Sequence, residues 1–149
     1  MLHNASSLRG LGHMINTKGF LHITIGVTDL ERATAFYQNV LGCELVRRNP
    51  IMSFMKTGDD FFVLTNTGVH VPPNPDGPIG LSNTLFHHAM IVAPDQFDKA
   101  IASLDAQGIA HYDCTQDGHS TFPGRRHMYI KDPDGNSIEL ASEVMPELL

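Results

Sequence analysis

The order βαβββ occurs twice in this chain, and that repetition limits the folds open to it more than any other feature. Residues 21–27, LHITIGV, alternate in polarity as a half-buried strand does, with Ile23, Ile25 and Val27 toward a core and His22, Thr24 and Gly26 away from it. Thr28-Asp29-Leu30-Glu31 has the spacing of a capping box, with Thr28 as the predicted cap. Leu30, Ala33, Phe36, Tyr37, Val40 and Leu41 then share one helical face, and Gly42 is placed to end the helix in a left-handed conformation. Strand-like runs follow at 44–48, 52–56 and, after the Gly58-Asp59-Asp60 turn, 61–65. The second copy repeats the order. Residues 85–92 form a predicted strand, Asp95 a predicted cap, and Phe97, Ala100, Ile101 and Leu104 the apolar face of a helix ended by Gly108. A strand over 110–114 precedes a hairpin over 127–140, HMYIKDPDGNSIEL, which turns at Asp132-Pro133-Asp134-Gly135. His22 lies 20 residues before Gly42 and His87 lies 21 before Gly108, while Val27 and Val92 each lie five past their histidine. Two copies of one unit imply a pseudo-twofold axis, with His22 and His87 at equivalent positions near it.

The duplication divides the 149 residues into an N-terminal arm (1–19), a first module (20–66), a connector (67–84), a second module (85–142) and a tail (143–149). The connector holds His70, Pro72, Pro73, Pro75, Gly77, Pro78 and Gly80, which do not continue a sheet or a helix. The arm lacks periodicity and is expected to be a mobile segment or a strap for a partner subunit. With 42% hydrophobic and 17% charged residues, the chain can bury one ordinary globular core. A net charge of −6, with Arg47-Arg48 and Arg125-Arg126 as isolated basic pairs, argues against nucleic acid as a partner. No apolar run is long enough to span a bilayer, so no membrane association is expected. Cys43 and Cys114, in a chain without a secretory signal pattern, are expected to be reduced thiols in the cytoplasm.

Alternation in the last strand sends Ile138 and Leu140 to one face and Ser137, Glu139 and Ala141 to the other. Glu139 therefore points either to solvent or into a polar cleft. His22, His87 and Glu139 together meet the requirement for a divalent metal held on one side, with the opposite positions open. Separations of 65 and 52 residues make no local motif, so only the fold can assemble them. His88 competes with His87 as the ligand. Strand alternation places it with Met90 and Val92 on the helix side, which favours His87. A fourth ligand is missing from the first copy: four residues past Gly135 is Glu139, whereas four past Gly58 is Phe62.

The stretches HITIGVTDLERATAFYQNVLG (22–42), HHAMIV (87–92) and YIKDPDGNSIEL (129–140) resemble the vicinal oxygen chelate superfamily, which includes glyoxalases, extradiol dioxygenases, fosfomycin-resistance enzymes and bleomycin-binding proteins. The resemblance implies a glyoxalase-like α+β fold in which two βαβββ modules form a curled mixed sheet around a metal cleft. It carries the metal ligands onto His22, His87 and Glu139. It also implies a homodimer that sets one chain's first module against the other's second, so that the site is shared between subunits. The missing fourth ligand departs from the glyoxalase pattern and favours the dioxygenase and fosfomycin-enzyme arrangements. Tyr129, ten residues before Glu139 on the paired strand, resembles a hydroxyl that hydrogen-bonds a developing oxyanion in those enzymes; its alternative is a packed sheet tyrosine. His70 is a candidate acid or base. Arg125 and Arg126 either attract an anionic substrate or are solvated. The expected activity is extradiol-type ring cleavage of a small molecule, with Fe(II) favoured and Mn, Zn or Ni as other metals. Fosfomycin-type epoxide opening, a glyoxalase-like lyase and a metal-free drug-binding protein are the alternatives.

Overall fold

A computed structural model describes residues 21–68, 87–114 and 126–142. The first unit consists of β1 (Ile23–Val27), α1 (Leu30–Asn39), β2 (Glu44–Arg48), β3 (Met52–Thr57) and β4 (Asp60–Asn66). The second consists of β5 (His88–Ile91), a 3₁₀ turn (Pro94–Gln96), α2 (Phe97–Ala106), β6 (His111–Asp113), β7 (His127–Lys131) and β8 (Ser137–Ala141). Each unit makes one four-stranded sheet, in the orders β1-β4-β3-β2 and β5-β8-β7-β6. β1 runs parallel to β4, and β5 parallel to β8, while the other pairs are antiparallel. The duplicated α+β architecture expected from the repeat is thus present strand for strand.

The two apolar faces share a single core. Ile25, Val27, Met55, Phe62 and Leu64 from the first sheet join Met90, Met128, Ile130, Ile138 and Leu140 from the second, with Leu30, Ala33, Tyr37, Phe97 and Leu104 from the helices. Losing one of these large side chains to alanine would cost about 2–5 kcal/mol. One expected core residue is not in it: Ile23 remains 43% exposed, because β1 is an outer strand and its beginning has no cover among the described residues.

Both predicted helix caps need correction. At α1 the cap is Asp29, not Thr28; the Asp29 carboxylate accepts the Arg32 backbone N–H at 2.9 Å. Thr28 is used elsewhere, since its backbone N–H (3.0 Å) and its hydroxyl both donate to Asp134 Oδ1 in the turn between β7 and β8. At the second helix Asp95 lies inside the 3₁₀ turn, and Gln96 occupies the cap of α2 without a side-chain capping bond. Gly42 and Gly108 do end their helices with positive φ, at 68° and 66°.

A polar seam joins the two units. Asp134 has a 3% exposed side chain and also receives the Arg32 guanidinium at 3.2 Å. Two residues on, Asn136 donates its side-chain N–H to the Gly26 carbonyl at 3.1 Å. These bonds fix the β7–β8 turn against the end of β1 and the start of α1, and so set the point from which β8 departs.

Candidate metal centre

Strand register decides which side chains share the face opposite the core. Glu139 pairs with Ala89 on one side and Tyr129 on the other, and Tyr129 pairs in turn with Tyr112. Ile138 and Leu140 point into the core, so Glu139 points the other way. It is not solvated: Glu139 is only 7% exposed, which removes the solvent-facing alternative. A carboxylate buried to this degree needs charged or hydrogen-bonding partners. His87 supplies one, with Nε2 at 2.9 Å from Glu139 Oε2. The Tyr129 ring meets the His87 imidazole edge-on, with centroids 5.2 Å apart, and meets His127 in the same way at 6.1 Å. His127 escaped the sequence reading; its pairing opposite Ala141, two positions past Glu139, was the available signal.

His88 faces the opposite side. Its Nε2 lies 3.3 Å from the Tyr37 hydroxyl, and the two rings stack with centroids 6.2 Å apart. Burial, and then the neighbouring His87, push its pKa down to about 4, so the ring is neutral at physiological pH. Tyr37 donates to Asp132 Oδ2 at 3.3 Å. Burial is the main cause that raises the pKa of both groups, with Asp132 adding to the rise at Tyr37 and hydrogen bonds from Asn136 and Asp134 opposing it at Asp132.

His22 is exposed on the outer edge of the first sheet, with its ring centroid 5.2 Å from that of Phe61. It lines a cavity of about 530 Å³ between the start of β1, the β3–β4 turn and β5, distinct from the corner where His87 meets Glu139. Among the described residues of one chain, no three His, Cys, Asp or Glu side chains converge as a metal site. One chain therefore brings together two of the three expected ligands and leaves His22 apart. The two that meet suit a divalent ion. Ligand atoms at right angles about an ion, each roughly 2.1 Å from it, are themselves about 3 Å apart, and the observed separation is 2.9 Å.

Other expectations fall elsewhere. His70, Arg125 and the loop over 115–124 lie outside the described residues. Arg126 is tied down, its guanidinium 2.7 Å from Asp98 and 4.5 Å above the Phe97 ring. Cys43 and Cys114 are buried and not joined in a disulfide, and burial pushes the Cys43 pKa up to about 11. No helix among the described residues is long and apolar enough to cross a membrane.

Residues 19–140 match the Glyoxalase/Bleomycin resistance protein/Dioxygenase superfamily, and the chain belongs to it. The superfamily's members are mostly metal-dependent enzymes acting on small molecules. The chain is 29% identical over 130 residues to biphenyl-2,3-diol 1,2-dioxygenase 3 of Rhodococcus globerulus, covering 85% of this chain but only 64% of the dioxygenase. It is 27% identical over 129 residues to the metallothiol transferase FosB of Lysinibacillus sphaericus, covering 86% of this chain and 84% of the transferase. Among solved structures, the fosfomycin resistance protein FosX of Listeria monocytogenes superposes with a TM-score of 0.69 at 20% identity, over 89% of this chain and 97% of that one, a likeness of fold.

Proposed function

We propose that the protein is a divalent-metal enzyme that chelates two neighbouring oxygens of a small substrate, with extradiol-type ring cleavage by Fe(II) and dioxygen as its reaction. The observation that carries this reading is the 2.9 Å approach of the His87 imidazole to the buried Glu139 carboxylate, on the face that Tyr129 shares. Mn, Zn or Ni are the other ions that an N,O donor set of this kind accepts. An ion held there supplies positive charge that stabilises the anionic form of the substrate oxygens. His87 and Glu139 hold and orient it; the Tyr129 hydroxyl donates a hydrogen bond to a substrate oxygen; Ala89 leaves room beside Glu139. His70 is proposed as an acid or base.

The third ligand is His22 of a second copy, so the working unit is a homodimer with shared sites. Leu21 just before β1, Ile23 on β1 and Ile91 on β5, 81%, 43% and 67% exposed, support this. Exposed apolar side chains on an open sheet edge favour cover by another chain.

A second reading, thiol addition to an epoxide of the fosfomycin type, is favoured by length, since the chain spans 84% of the metallothiol transferase against 64% of the dioxygenase. Elemental analysis of untagged protein, followed by oxygen uptake with a catechol panel after anaerobic iron loading, tests the first reading. Stoichiometric iron and uptake of one O₂ per ring opened are expected. No oxygen uptake, together with Mn(II)-dependent thiol consumption in the presence of fosfomycin, would transfer the assignment to the second.

A further inference from the structure

Tyr37 belongs to the first unit, yet its hydroxyl lies between two groups of the second. Asp132 Oδ2 and His88 Nε2 are each 3.3 Å from it. Asp132 governs the turn from which β8 departs: its Oδ1 accepts the backbone N–H groups of Asp134 and Asn136, both at 2.9 Å, and its Oδ2 accepts the Asn136 side chain at 2.8 Å. His88 is the chain neighbour of His87 and points the opposite way. Because Tyr37 gives its one proton to Asp132, its oxygen is left to accept from His88. The chain of donation runs from His88 Nε2–H to Tyr37 to Asp132, which specifies the tautomer of His88.

β5 needs such a hold. It is four residues long and, among the described residues of one chain, lies at the edge of its sheet and pairs with β8 alone. Met90 anchors the middle of the strand in the core and the Val92 N–H holds its far end to the Ala141 carbonyl, so the Tyr37 hydroxyl is the hold at its His88 end. Since successive side chains point oppositely, any roll that lifts His88 from Tyr37 also swings His87 away from Glu139.

We propose that Tyr37 is a positioning residue of the metal centre: from the first unit's helix it holds His88 and Asp132 together and thereby keeps His87 facing Glu139. The proposal rests on the reading that His87 and Glu139 bind a divalent ion.

The substitution Tyr37→Phe removes the hydroxyl and keeps the ring. Mn(II) binding, followed by electron paramagnetic resonance, is expected to weaken about tenfold, the usual scale for losing a group that orients a ligand. Circular dichroism should remain that of the folded wild type. In the metal-free protein, long-range ¹H–¹⁵N spectra should show His88 losing its fixed Nε2–H form and the His87 ring signals moving. A merely structural role would lower the unfolding temperature and change neither. His88→Leu, which removes the other end of the bond, should reproduce the weakening and serves if Tyr37→Phe does not fold. Unchanged His87 signals and unchanged Mn(II) affinity in the folded variants would overturn the proposal. If the wild type binds neither Mn(II) nor anaerobically added Fe(II), Zn(II) or Ni(II), the metal reading falls, and the His87 signals alone then decide whether Tyr37 sets that ring.

Discussion

Glu139 and His88 are both buried ionisable side chains, and their surroundings assign them opposite work. Glu139 lies against the His87 imidazole on the face away from the core, where the proposed function makes it a ligand. Glu139→Gln keeps the shape and removes the charge; Mn(II) affinity by equilibrium dialysis should fall at least tenfold. Tyr129→Phe should leave that affinity unchanged and lower turnover roughly a hundredfold at full metal content, as expected for loss of a donor to a developing oxyanion. His88 has a folded pKa of about 4 against an ordinary 6.5. A depressed folded value means the unfolded chain binds more protons across that window. The contribution of His88 is therefore fully present above pH 6.5 and is lost as pH falls toward 4. Its upper bound is about 3 kcal/mol at 1.36 kcal/mol per unit. Asp132, whose pKa is raised, acts in the opposite sense over the lower part of the window and reduces the net loss. Urea unfolding of chelator-treated protein between pH 7 and 4.5 should show the decline, and His88→Leu should flatten it.

At the level of elements, strand and helix placement was legible because each apolar face keeps its period, from Ile25 and Val27 on β1 to Leu104 on α2. The caps were less legible. Thr28 reads locally as a cap, but its hydroxyl is taken by Asp134, 106 residues away, and no local pattern carries that bond. Asp29→Ala should therefore cost about 1 kcal/mol, whereas Asp95→Ala should change the urea midpoint little, because Asp95 makes no capping bond to α2. Equal effects from the two substitutions would contradict the capping scheme. The opposite facing of His87 and His88 was legible for a different reason: strand alternation separates the two as soon as Met90 is placed in the core. The networks around Tyr37 and His127 were not, since each is made by register between strands or units that are distant in sequence.

On the scale of the whole molecule, the proposed shared-site dimer makes a sharp prediction. His22→Ala and His87→Ala should each abolish activity alone. Mixed and allowed to exchange subunits, half the dimers would be mixed, and each would hold one site free of either substitution, so about a quarter of wild-type activity should return. No recovery in a mixture shown to contain mixed dimers would place His22 outside the site. The seam between the units adds a directional consequence. Thr28 gives Asp134 both its backbone N–H and its hydroxyl, but the position that matches Thr28 by the repeat is Ala93, which has no hydroxyl to give, and Asp59 and Asp60 in the first unit's turn remain exposed. The two halves are therefore lock and key, not interchangeable twins. A tandem of two first halves would inherit the keyhole without the key, and would lack the bonds that tie one half's last turn to the other's first strand and helix.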